Sequence, residues 1–166
     1  NEEIDALAPQ QTNSAVFHDS FGTLKGAYAC RLLCDRIHCE GARALATYGE
    51  DFYAGEPAVT VNDFGQGKAY YLATALDQDS LAPFLEKLCA DKGVAPPLPN
   101  APDGVEVMPR VSPSGETLLY VLNHNNAAVF ASLPNGSYRD LITGKRIENQ
   151  AALAPYDVMI LAHEKN

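Results

Sequence analysis

The chain has 166 residues and a net charge of −9, from 12 Lys and Arg against 21 Asp and Glu. Hydrophobic residues make up 46% and charged residues 20%, a balance that supports a packed core and excludes wholesale disorder. No basic cluster exists to neutralise phosphates, which argues against nucleic acid and against anionic membrane surfaces.

No apolar run approaches the roughly 20 residues that span a bilayer. No basic segment leads into an apolar one at the start, so a signal peptide is not expected. The chain opens on Asn1 instead of Met, which reads as a piece cut from a longer polypeptide.

In chain order, Asn13 to His18 is a short predicted strand. Residues 28–38 read as either strand or helix, because Arg31, Asp35 and His38 also fit helical spacing; strand is preferred. Ala42 to Tyr48 is a further strand. Pro57–Phe64 and Lys68–Leu76 are β-rich runs separated by Gly65-Gln66-Gly67, a pattern that predicts a hairpin. Leu81, Phe84, Leu85, Leu88 and Cys89 form one apolar stripe at helical period. Asp77 or Asp79 is expected to cap this helix, with Pro83 in its first turn and Gly93 at its end.

Val94-Ala-Pro-Pro-Leu-Pro-Asn-Ala-Pro-Asp103 carries four prolines and predicts an extended linker. Charge shifts at the same place. Residues 1–93 hold 7 basic and 14 acidic residues, and residues 94–166 hold 5 and 7. Two units are therefore expected, 1–93 and 104–166. In the second, Val105–Val111, Thr117–Asn123, Ala128–Leu133, Tyr138–Leu141 and Val158–Leu161 are predicted strands. Ser114-Gly115, Asn125-Asn126, Asn135-Gly136 and Thr143-Gly144 are the turns. Short strands at this spacing predict a small antiparallel β-sandwich. The fold class is mainly β, or α+β, with mostly antiparallel strands and one clear helix.

Few residues combine in patterns that carry chemistry. Glycosidic hydrolysis needs two carboxyl groups flanking the bond. Glu50-Asp51 and Asp77/Asp79 read better as loop and capping acids. His18-Asp19-Ser20 contains triad letters, but consecutive residues do not face one another. His124 reads as a hydrogen-bonded surface residue, with a sugar contact as the sharper alternative. Gly65-Gln-Gly67-Lys68 fails both phosphate-loop patterns, because Lys68 starts a strand. Cys30, Cys34, Cys39 and Cys89 lack zinc-knuckle spacing, even with His38 added, and are expected to be buried thiols in a reducing cytoplasm. No catalytic, cofactor or metal residue is assigned.

Three stretches, Gly41-Ala-Arg-Ala-Leu-Ala-Thr-Tyr48, Asp51-Phe-Tyr-Ala-Gly-Glu-Pro-Ala-Val-Thr60 and Asn62-Asp-Phe-Gly-Gln-Gly-Lys-Ala-Tyr-Tyr-Leu72, resemble the end of the middle domain of family-42 β-galactosidases. The lead-in Ile4-Asp-Ala-Leu-Ala-Pro-Gln-Gln-Thr-Asn13 does too. Leu119-Tyr-Val-Leu-Asn-His124, Asp140-Leu-Ile-Thr-Gly144 and Leu153-Ala-Pro-Tyr-Asp-Val158 are similar to that family's C-terminal β domain. Leu33 stands where relatives often carry Trp.

The resemblance implies the end of an amidotransferase-like α/β trimerisation unit over 1–93, a linker over 94–103 and a terminal β-sandwich over 104–166. It implies a parent that hydrolyses terminal β-D-galactosides with retention through a separate (β/α)8 barrel. No barrel motif occurs in this chain, so no catalytic residue transfers. The implied partners are that barrel and further copies in a trimer. Two alternatives stay open: a carbohydrate-binding module using Tyr138 or Tyr156, and a free-standing enzyme of unknown class. With its early βαβ part missing, the first unit is expected to re-pair with another copy or to close on itself as an antiparallel sheet.

Overall fold

The computed structural model describes residues 3–164. It divides into two compact units, Asn1–Val94 and Ala95–Asn166.

The first unit is built from β1 (Glu3–Ala6), β2 (Asn13–Phe21), β3 (Leu24–Arg36), β4 (Arg43–Tyr48), β5 (Pro57–Phe64), β6 (Gly67–Leu72), β7 (Thr74–Leu76) and the helix α1 (Gln78–Asp91). Every strand pairing is antiparallel. The sheet runs β1-β3-β2-β4-β5-β6, and β7 pairs back onto β3. The path thus closes on itself, with β1 continuing the sheet beside the far end of β3. This is the second of the two outcomes expected for the first unit.

The closure turns on Ala73, between β6 and β7. Its N–H donates to the Ala58 carbonyl of β5 at 2.9 Å, and its carbonyl accepts the Asp35 N–H of β3 at 2.7 Å. One continuous run of chain therefore leaves β5 and joins β3 at a single residue. A closed sheet leaves fewer unpaired backbone groups to attract another chain.

Residues 28–38 lie largely in β3, which settles the strand-or-helix ambiguity. The hairpin at Gly65 is present, and Gly65 takes φ +58, a left-handed conformation that glycine adopts without a Cβ clash. The core of this unit gathers Phe17, Leu24, Tyr48, Tyr53, Val59 and Phe84 around the thiols of Cys30 and Cys34.

The helix covers this core less completely than its stripe implies. Phe84 is buried, and Leu81 and Leu88 pack partly. Leu85 is 49% exposed and Cys89 is exposed. Phe84 stacks near Phe21 and Tyr70, with ring centroids 5.1 and 5.8 Å apart. These contacts centre the buried face on Phe84 and leave Leu85 to the flank. Pro83 lies inside the helix, beyond the first turn expected for it. Asp77 is the N-cap residue, but its carboxylate makes no capping bond. It instead accepts from Arg31 Nε at 3.1 and 3.2 Å.

The second unit contains β8 (Val105–Val111), β9 (Thr117–Asn123), β10 (Val129–Asp140), β11 (Arg146–Leu153) and β12 (Val158–His163) in one antiparallel sheet of order β11-β10-β12-β9-β8. Two predicted strands merge into β10. The Asn135-Gly136 turn is instead an irregularity inside that strand, between Ser132 and Ser137. Gly136 takes φ +139, a backbone conformation that favours glycine, and a Cβ there would sit 2.5 Å from His163 Nε2.

Before the irregularity β10 pairs only with β11, and after it with both β11 and β12. Ala131, Leu133, Ala151 and Leu153 share one core with Val121 and Leu161, which stand on the other half of the sheet. In place of the expected two-sheet sandwich, the second unit is one five-stranded antiparallel sheet whose strands share this core. Leu98 is only 6% exposed and belongs to this same core, so the proline-rich segment is anchored at its middle.

Candidate functional site

The first unit has a polar hollow of about 420 Å³ beside the turn after β4, walled in part by Asp5, Gln11, Asn13, Glu50 and Asp51. The predicted carboxylate pair Glu50-Asp51 lies on its wall. Local bonds explain the residues there. Asn13 Oδ1 accepts from the Glu50 N–H at 3.0 Å, and its Nδ2 donates to the Glu50 carbonyl at 3.1 Å. Asp51 takes φ +71, and its Oδ1 accepts the Phe52 N–H at 2.7 Å. Asp5 Oδ2 accepts from the Tyr53 hydroxyl at 2.7 Å. Burial, then this bond to Asp5, pushes the Tyr53 phenol well above its usual range. Asp5 and Asp51 are thus engaged in holding the turn, and Glu50 is fixed through its backbone and exposed.

The other predicted groups are scattered. His18 Nε2 lies 2.9 Å from Thr47 Oγ1 on neighbouring strands, and β2 turns Asp19 to the other face. His124 Nε2 lies 3.0 Å from Glu106 Oε2 at the surface. Lys68 pairs with Asp63 across the hairpin, the role of a turn lysine and not of a phosphate ligand. Asp79 sits in the first helical turn, where a carboxylate favours the helix dipole. Tyr138 is 5% exposed in the second core, which removes it as a sugar platform. Tyr156 is exposed, held at φ +56 in a turn.

The cysteine expectation holds for two of four. Cys30 and Cys34 are buried, whereas Cys39 and Cys89 are exposed. Burial pushes the Cys30 thiol up to about 11. Cys89 surfaces because α1 buries the Phe84 flank. Among the described residues, no three His, Cys, Asp or Glu side chains group as a metal site. No described helix is long and apolar enough to cross a membrane.

Three polar arrangements were not read from the sequence. Arg36 ties together three segments: Nε and Nη2 bond Glu56 at 3.1 and 2.7 Å, Nη1 bonds Glu3 at 2.7 Å, and the guanidinium lies over Phe52. Glu56 is held below the usual carboxylate range by this partner. Tyr48 Oη donates to the Ala73 carbonyl at 2.7 Å, with the Asp35 carbonyl at 3.1 Å. Burial drives its phenol far upward.

In the second unit, Asp140 is 1% exposed and accepts from the N–H groups of Ile142, Thr143 and Ile160 and from the Thr143 hydroxyl. Burial alone raises its carboxyl, but these four donors outweigh it and hold the group below its ordinary value. The Asp140-Leu-Ile-Thr-Gly144 run carried the signal, an Asx turn closed by glycine. All three arrangements stabilise structure.

Residues 1–95 match the model of the β-galactosidase trimerisation domain, and residues 104–162 match that of the β-galactosidase C-terminal domain, both of glycoside hydrolase family 42. The chain belongs to the family-42 β-galactosidases. Beta-galactosidase BgaP of Planococcus sp. (strain L4) is 47% identical over 161 residues, which is 97% of this chain and 24% of that protein. The crystal structure of a β-galactosidase from Bacillus circulans sp. alkalophilus superposes with a TM-score of 0.87 at 45% identity, covering 98% of this chain and 24% of that one. The β-galactosidase of Rahnella sp. R3 matches with a TM-score of 0.80 at 36% identity over 99% of this chain and 23% of its own. The family-42 chain described here spans about a quarter of the length of these relatives.

Proposed function

We propose that this chain is the non-catalytic C-terminal portion of a β-galactosidase whose full polypeptide hydrolyses terminal β-D-galactosides with retention, through a (β/α)8 barrel outside these residues. Residues 1–93 serve the oligomer, a trimer in this reading. Residues 94–103 connect, and residues 104–166 form the terminal β domain. The buried, unpaired thiols of Cys30 and Cys34 fit a reducing compartment, the cytoplasm.

One observation carries the reading. A chain that aligns along nearly its whole length covers only 24% of its relatives. The carboxylates lining its polar hollow fit the same reading, being occupied in holding turns or lying exposed.

The test is the reading frame upstream of Asn1 together with sedimentation of its full product. A preceding barrel with a carboxylate on each of two strands, and a trimer in solution, are the expected results. An unrelated preceding domain would refute the parentage, and a monomeric full product would refute the oligomer role.

A further inference from the structure

Cys30 and Cys34 lie four residues apart on β3, where a regular strand would hold their Cα atoms about 13 Å apart. The bulge in β3 removes much of that separation. Cys30 stands opposite Leu76 and Cys34 opposite Thr74, so four steps of β3 run against two steps of β7. Two steps of strand span about 6.8 Å. Directly opposed residues of antiparallel strands share a face, and Leu76 and Thr74 are both buried. The bulge therefore brings the two cysteines together on the inner face. Their spacing is one that a disulfide bridges, about 4.4–6.8 Å between Cα atoms.

The side chains meet as well. Both thiols are fully buried and lie in one core with Tyr48 and Tyr53. Cys34 is a direct side-chain neighbour of the Cys30 thiol and, after burial, adds to holding its proton on. Among the described residues, no third His, Cys, Asp or Glu joins the pair as a metal ligand. A disulfide is uncharged and suits this dry core, whereas a pair of thiolates does not.

We propose that Cys30 and Cys34 form a dithiol latch that closes to a disulfide when small disulfides accumulate, pinning the bulge by which β7 joins β3. One cysteine, as its thiolate, attacks a sulfur of a small disulfide such as oxidised glutathione and expels one glutathione thiolate. The other then attacks the protein sulfur of the mixed disulfide and expels the second. The two protein thiols give up two electrons and two protons, and one oxidised glutathione becomes two reduced molecules. The exchange runs through local opening at the pair, where β7 has only three residues to hold the margin closed. In a reducing compartment the latch stays open, and both thiols are free in this structure.

The double variant Cys39→Ser/Cys89→Ser tests this, because both replaced residues are exposed and only the pair remains. It is equilibrated with reduced and oxidised glutathione at one fixed ratio, in buffer and again in guanidinium. Tryptic cleavage after Arg31 parts the two cysteines, so mass spectrometry counts the peptides that stay linked. The ratio of linked to unlinked chain is expected to be about tenfold or more higher in buffer, because the folded bulge raises the effective concentration of one thiol at the other. An equal or lower ratio in buffer shows that closeness in sequence alone makes the bond, and overturns the proposal. Glutathione adducts without a link, or links between two chains, overturn it too.

Thermal melts give a second readout. The linked form is expected to melt about 5 °C or more above the reduced form. A linked form that melts at or below the reduced one overturns the latch.

Discussion

Tyr48 Oη donates to the Ala73 carbonyl at 2.7 Å, at the residue where one strand leaves β5 and joins β3. The buried hydroxyl bonds backbone carbonyls of Ala73 and Asp35, and it braces the corner that closes the sheet. Tyr48→Phe keeps the ring and removes the brace. It is expected to destabilise the first unit by about 1–2 kcal/mol, the range for losing a buried hydrogen bond. Urea unfolding checks this through a lower midpoint at unchanged slope.

Asp140 plays the corresponding part in the second unit. Its carboxyl is held below the ordinary value, so the bond network stabilises the fold above the unfolded value of about 4. That contribution is lost as pH falls through the still lower folded value. Asp140→Asn is expected to cost about 1–3 kcal/mol at neutral pH. The gap between variant and parent narrows below about pH 4. Thermal melts between pH 7 and pH 3 measure both.

The thiols are predicted to react in two classes. Cys39 and Cys89 are exposed, and a thiol reagent at pH 8 should consume two equivalents quickly. Cys30 and Cys34 are buried, and the Cys30 thiol is raised to about 11. They should react only when guanidinium unfolds the chain. Four fast equivalents would mean that the first core is open.

Leu32 sits at φ +69 in the bulge where β3 shifts register against β7, and it is 70% exposed. A branched side chain is strained there and buries little in return. Leu32→Gly should raise stability by about 0.5–1 kcal/mol, because relieved strain exceeds the added freedom of the unfolded chain. A fall in the urea midpoint would show that Leu32 packs against something.

Much of the fold was legible because its signals are local. Val105–Val111 and Thr117–Asn123 show strand composition between clear turns, and their bounds agree. Two strands escaped. Glu3–Ala6 lies at the sheet margin and buries no residue fully, so its sequence carries no alternation. Arg146–Leu153 is polar along most of its length and buries only Ala151 and Leu153. The merger through Asn135-Gly136 was illegible because a turn dipeptide also suits a bulge. The stripe on α1 over-predicted burial at Leu85 and Cys89, since periodicity gives a face but not how much of it meets a neighbour. The Arg36 and Tyr48 arrangements join residues distant in sequence, which composition and spacing do not encode.

The decisive measurement is turnover of a nitrophenyl β-D-galactoside by the purified 166-residue chain, beside the full product of its gene. No release above the blank is expected from the chain at any concentration, and turnover is expected from the full product. Saturable hydrolysis by the chain alone would mean that it holds a catalytic pair of its own, whereas the carboxylates lining the polar hollow hold turns or lie exposed.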